Sequence, residues 1–154
     1  LGIPWLESDE LRFKDRESML MNPVVIEQES AFEYSFQVEV LDKFDQEKFA
    51  VTFSIERYLA GLGWSLAIIG YSEIIVSNRK IIDLSIRLPN FCLAPGEYLL
   101  CIGLCVPLQP GQRSTEKAYE ALTWLNGHAI KLIVNGNNPS RQLIRRKIKW
   151  TITK

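Results

Sequence analysis

Apolar side chains return at every second position through most of this chain. Phe49, Val51, Phe53 and Ile55 alternate with Ala50, Thr52, Ser54 and Glu56. Ile82, Leu84, Ile86 and Leu88 alternate with Asp83, Ser85 and Arg87. The same beat runs through Tyr98, Leu100, Ile102 and Leu104, through Ile130, Leu132 and Val134, and through Ile148, Trp150 and Ile152. Phe32, Tyr34, Phe36, Val38 and Val40 make an earlier run, and Ile74 to Val76 a short one. A period of two puts one face of a strand in a core and the other in solvent.

Turn-forming residues fall between the runs: Gly61 with Gly63, Ser77 to Arg79, Pro89 with Asn90, Pro107 to Gly111, and Asn135 to Ser140. The segment Leu41 to Lys48 is polar and reads as a loop. Strands at this spacing predict an all-β fold, an immunoglobulin-like antiparallel β-sandwich of about seven to nine strands. One short helix competes near 115–125. Ser114 or Thr115 would cap it, Ala118, Leu122 and Leu125 would share a face, and Asn126-Gly127 would end it. The opening stretch, with Pro4, Trp5 and the charged run Glu7 to Glu17, is less regular. Residues 1–23 are therefore expected to be a linker or peripheral segment, or a strand that pairs late, and residues 24–154 the sandwich.

Composition narrows the classes. At 154 residues, 47% hydrophobic and 23% charged, the chain has the make-up of one globular domain. No apolar run reaches the roughly 18 residues of a membrane-spanning helix. Eighteen basic residues balance eighteen acidic ones, which argues against a nucleic-acid partner, since phosphate binding usually draws on a basic excess. Three cysteines, Cys92, Cys101 and Cys105, form no disulfide framework and point to a reducing compartment. Cys101 and Cys105 lie in one strand, about 13 Å apart at roughly 3.3 Å per residue, too far to bridge. With His128 the sole histidine, no zinc site is expected. No signal-peptide pattern is visible, and in a chain that opens on Leu1 this carries no weight.

No catalytic constellation emerges either. There is no Gly-Lys pair for a phosphate loop, and Gly61 and Gly63 read as a hairpin turn. His128 follows Asn126-Gly127 at the mouth of a strand, which suits a strand-end role better than a base. Glu27 with Glu29, and Asp42 with Asp45, lie in polar stretches, where solvated charge is expected. The basic cluster Arg141, Arg145, Arg146, Lys147 and Lys149 suits the outer face or protected edge of a terminal strand. The expectation is a chain that is no enzyme and holds no metal or cofactor.

The most specific local signal is Leu93-Ala94-Pro95-Gly96-Glu97-Tyr98. A Pro-Gly turn leads into a strand opened by Tyr98, whose ring can enter the core while its hydroxyl bonds back to the turn. That is the logic of a tyrosine corner, here without the antibody-type disulfide, because Cys101 is off the in-facing register. Taken with Val51 to Glu56, Ile82 to Pro89, Ile130 to Val134 and the final strand to Trp150, the chain resembles the C-terminal carbohydrate-binding domain (Wzt-type) of the ATP-binding subunit of polysaccharide-exporting ABC transporters. The resemblance covers residues 24 to 152. It implies an immunoglobulin-like, dimeric, lectin-like module that recognises O-antigen or a related glycan awaiting export. Its partners would be ATPase and membrane subunits, its place the cytoplasmic side of the inner membrane. Similar domains can also be attached to glycosyl- or methyltransferases. The alternative function is a structural or protein-interaction sandwich.

The pattern also suggests where a glycan would sit. If the strands at 49–56 and 98–106 are neighbours, their out-facing residues form one surface: Ala50, Thr52, Ser54 and Glu56 beside Leu99, Cys101, Gly103 and Cys105. Small side chains leave a trough in which hydroxyls can pair with Thr52, Ser54 and Glu56. Trp64, Tyr71 and Tyr58 are candidate stacking rings, and His128 lies in the next loops to consider. Trp150 belongs to the in-facing register. The last strand, Leu143 to Ile152, follows the loop Asn135 to Ser140, so its exchange between two copies would give a homodimer.

Overall fold

The computed structural model describes residues 8–61, 63–89, 93–112, 117–123, 127–137 and 151–153, and for Leu59, Trp64, Ser65 and 151–153 the backbone alone. The elements are β1 (Leu11–Phe13), α1 (Arg16–Met21), β2 (Val24–Glu27), β3 (Phe32–Val40), β4 (Lys48–Leu59) and β5 (Gly63–Tyr71). They continue with β6 (Ile75–Val76), β7 (Ile81–Leu88), β8 (Gly96–Cys105), β9 (Ala118–Leu122), β10 (Ile130–Asn135) and β11 (Thr151–Thr153). One sheet has the order β1-β3-β7-β11. The other runs β2-β10-β8-β4-β5, with β9 beside β8 and β6 beside β4. The fold is an all-β sandwich, as the period of two predicts. Its strand count exceeds seven to nine because β1, β2, β6 and β11 are short edge pieces. The pair β2–β10 is parallel, not antiparallel.

The alternating residues do what their period requires. Phe49, Val51, Phe53 and Ile55 from β4, Leu100, Ile102 and Leu104 from β8, and Ile82, Leu84, Ile86 and Leu88 from β7 are buried in one cluster between the sheets. The Tyr98 ring joins them, and its hydroxyl donates to the Ala94 carbonyl at 2.7 Å, closing the tyrosine corner. The Arg57 guanidinium lies 5.5 Å from the centre of that ring.

Two expectations are corrected. Residues 118–122 form a strand, not a helix. Their pairing Ile102↔Leu122, Gly103↔Ala121 and Leu104↔Glu120 extends the edge of β8 beyond the part that β10 covers. Backbone pairing outweighs the helix preference of Ala and Glu, which is a fraction of a kcal/mol per residue. The described helix is instead α1. Residues 8–23 are also no linker. Leu11, Phe13 and Met19 are buried in the core, and β1 pairs with β3. Glu120, its side chain fully buried, accepts the Phe13 N–H at 3.2 Å and lies 3.9 Å from the Arg16 guanidinium, which ties this segment to β9. Trp150, the basic cluster and Cys92 lie outside the described residues.

Candidate functional site

The out-facing rows of β9, β8, β4 and β5 come into register. One row reads Ala121, Gly103, Thr52, Tyr71; the next places Cys101, Ser54 and Ile69 side by side; the third has Leu99, Glu56 and Leu66. Gly103, Cys101, Thr52 and Ser54 on the two central strands and Ala121 on β9 are small, Tyr71, Ile69 and Leu108 around them are larger, and together they line a trough of ≈ 750 Å³. Gly103 is essential to its depth. A Cβ there would lie 2.8 Å from the Thr52 hydroxyl oxygen.

Along the walls, the Tyr71 hydroxyl accepts the Leu108 N–H at 2.5 Å, which holds the turn after β8 against β5. Burial raises the Tyr71 pKa above its usual value against the opposing pull of that N–H, so the hydroxyl keeps its own proton at neutral pH and can donate it. On the floor, the Ser54 hydroxyl donates to Glu56 Oε2 at 2.9 Å. Thr123 adds another hydroxyl at the β9 end, and Ile69 and Leu108 supply apolar surface. From Ile69 (71% exposed) in the lining, Leu66 (59%) on β5 and Tyr58 (59%) on β4 continue an exposed ridge beyond the trough.

Of the residues expected at the site, Thr52, Ser54, Glu56 and Tyr71 are brought together in the lining, with Cys101 and Gly103 on the floor. Ala50 and Cys105 are not in it. Both are buried, and the Cys105 thiol donates to the Ala50 carbonyl at 3.4 Å. The Trp64 backbone pairs with Tyr58, and its side chain lies outside the described residues. His128 is half-buried outside the lining, and its N–H donates to the Thr123 carbonyl at 2.9 Å, one hydrogen bond from the trough. Ala121, Thr123 and Leu108 went unpredicted. Reading 118–122 as a strand would have exposed the first two, since they follow the alternation set by buried Glu120 and Leu122.

A second cavity of ≈ 480 Å³ lies between α1 and the outer face of β3 and β7. Its polar groups already face one another: Ser35 with Ser85 at 3.2 Å, Gln37 with Asp83 at 2.6 Å, and Arg87 with Glu33 at 3.4 Å. Among the described residues, no three His, Cys, Asp or Glu side chains converge as metal ligands, and no helix is long and apolar enough to cross a membrane. In comparison with known proteins, the chain matches no family model and no curated protein.

Proposed function

We propose that the domain is a non-catalytic glycan-recognition module and that the trough over β8 and β4 is its binding site. The carrying observation is the combination of a smooth floor (Gly103, Cys101, Ala121) with hydroxyls from Thr52, Ser54 and Thr123 and a tyrosine on the wall. A pyranose ring presents the matching surface, with hydroxyls at its edge and CH groups on its faces. The resemblance to Wzt-type domains supports the same reading. It suggests a setting in which the module couples O-antigen or a related polysaccharide to ATPase and membrane subunits of an exporter, on the cytoplasmic side of the inner membrane. A homodimer by C-terminal strand exchange fits the position of β11. It occupies the edge slot beside β7 through three paired residues, and a partner's strand could make the same bonds.

Glycan-array and calorimetric binding test this reading. The expected result is specific, weak binding of a short oligosaccharide, since each hydrogen bond exchanged with water nets only about 0.5–1.5 kcal/mol. A folded protein that binds no glycan would contradict it. The exposed ridge of Tyr58, Leu66 and Ile69 favours a second reading, in which the β5 edge contacts protein.

A further inference from the structure

Two half-buried hydroxyls of the trough have part of their hydrogen-bonding capacity already spent, and in opposite senses. The Ser54 hydroxyl gives its proton to Glu56 Oε2 at 2.9 Å. Toward a ligand, Ser54 Oγ is therefore an acceptor. Tyr71 Oη receives the Leu108 N–H at 2.5 Å, which leaves its own proton for the trough, so toward a ligand Tyr71 is a donor. Neither hydroxyl makes another hydrogen bond among the described residues. Tyr71 stands opposite Thr52, and Ser54 lies two residues further along β4, so Ser54 and Tyr71 are diagonal neighbours on one face of the sheet. The floor beside them is small: Gly103 lies opposite Thr52, and Cys101 opposite Ser54.

From this fixed donor and acceptor we infer that the trough recognises an acetamido group, and so takes N-acetylated amino sugars in preference to their hydroxyl or free-amine counterparts. The inference rests on the glycan reading above and adds the chemical class. A trans secondary amide carries a C=O that only accepts and an N–H that only donates, pointing in opposite directions. The C=O takes the Tyr71 proton, and the N–H gives its own to Ser54 Oγ. The amide oxygen and nitrogen are about 2.3 Å apart. With a hydrogen bond of about 2.9 Å at each end, the group bridges partners about 8 Å apart, the scale of a diagonal pair at about 7–8 Å. A single hydroxyl oxygen bridges less than about 6 Å and reaches one of the two. An ammonium has donors for Ser54 and no acceptor for Tyr71. The acetyl methyl rests on the Gly103 and Cys101 floor, where it leaves water.

The test is an array carrying N-acetylated, free-amine and hydroxyl forms of the same short oligosaccharides, probed with the full chain, with Ser54→Ala, with Tyr71→Phe and with Thr52→Trp. The parent should prefer the N-acetylated form to each of the others by about tenfold or more. That ratio should fall by about threefold or more in Ser54→Ala and again in Tyr71→Phe. Loosening of the Leu108 turn in Tyr71→Phe would weaken all three forms alike, so the ratio separates recognition of the amide from support of the wall. Hydroxyl or free-amine forms bound by the parent as well as the N-acetylated form, or a ratio unchanged in either variant, would overturn the acetamido assignment while leaving glycan binding intact. No glycan bound by the parent, or equal binding by folded Thr52→Trp, would remove the site itself and the inference with it.

Discussion

Gly103 stands directly opposite Thr52 in the β8–β4 ladder, and the space above it is set by what Gly103 lacks. A methyl group added there would come within 2.8 Å of the Thr52 hydroxyl. The contact involves the end of a side chain at the protein surface, so Thr52 can give. Replacing glycine inside a strand also regains about 0.5–1 kcal/mol of backbone entropy. Gly103→Ala should therefore keep its stability within about 1 kcal/mol of the parent while narrowing the floor and weakening glycan binding. Denaturant titration and calorimetry on the same sample separate the two effects.

Gly70 gives the opposite outcome. A Cβ there would overlap the Phe53 ring, which is buried in the core. Gly70→Ala should destabilise the domain by about 1–3 kcal/mol, read as a lower denaturation midpoint. A midpoint equal to that of Gly103→Ala would show that the Phe53 ring is free to move.

The strands were legible because burial on one face writes a period of two into β3, β4, β7, β8 and β10. Tyr98 was legible because a Pro-Gly turn before an aromatic strand start is a local signal. β1 was hidden, since Leu11-Arg12-Phe13 is three residues within a charged stretch and owes its place to pairing with Val38 to Val40. β9 was misread because Ala118, Leu122 and Leu125 fit a helical face as well as a strand, and the free edge of β8 decides between them. The trough floor followed from two strand patterns. Its far wall did not, because Leu108 and Thr123 reach it through tertiary contacts.

Glu120 joins the two sheets through Phe13 and Arg16. Glu120→Ala leaves the buried Phe13 N–H without that acceptor and should cost about 1–3 kcal/mol. Glu120→Gln keeps an acceptor of the same shape and should cost less. Amide hydrogen exchange should show faster opening of residues 11–20 in the alanine variant. Unchanged protection there would mean that the segment is held by its apolar contacts alone.

Burial raises the pKa values of Tyr71, Tyr98 and Tyr119 and pushes Tyr34 up to about 12 from the usual 10.0. The folded state therefore holds protons that the unfolded chain releases. The stability linked to these tyrosines is fully present below about pH 10 and is lost as the pH climbs through the folded values toward 12. Denaturation midpoints should fall steeply across that range, and less steeply in Tyr34→Phe. An identical slope in that variant would contradict the assignment to Tyr34.

The central claim is that the trough is the binding site, and calorimetry of Thr52→Trp against the glycan bound by the parent tests it most directly. Thr52 is half-buried at the centre of the lining, opposite Gly103 and Tyr71, so an indole there fills the space without entering the core. The account predicts a folded protein, with the parent's circular dichroism spectrum, that no longer binds. A folded Thr52→Trp that binds the glycan with the parent's affinity would contradict it.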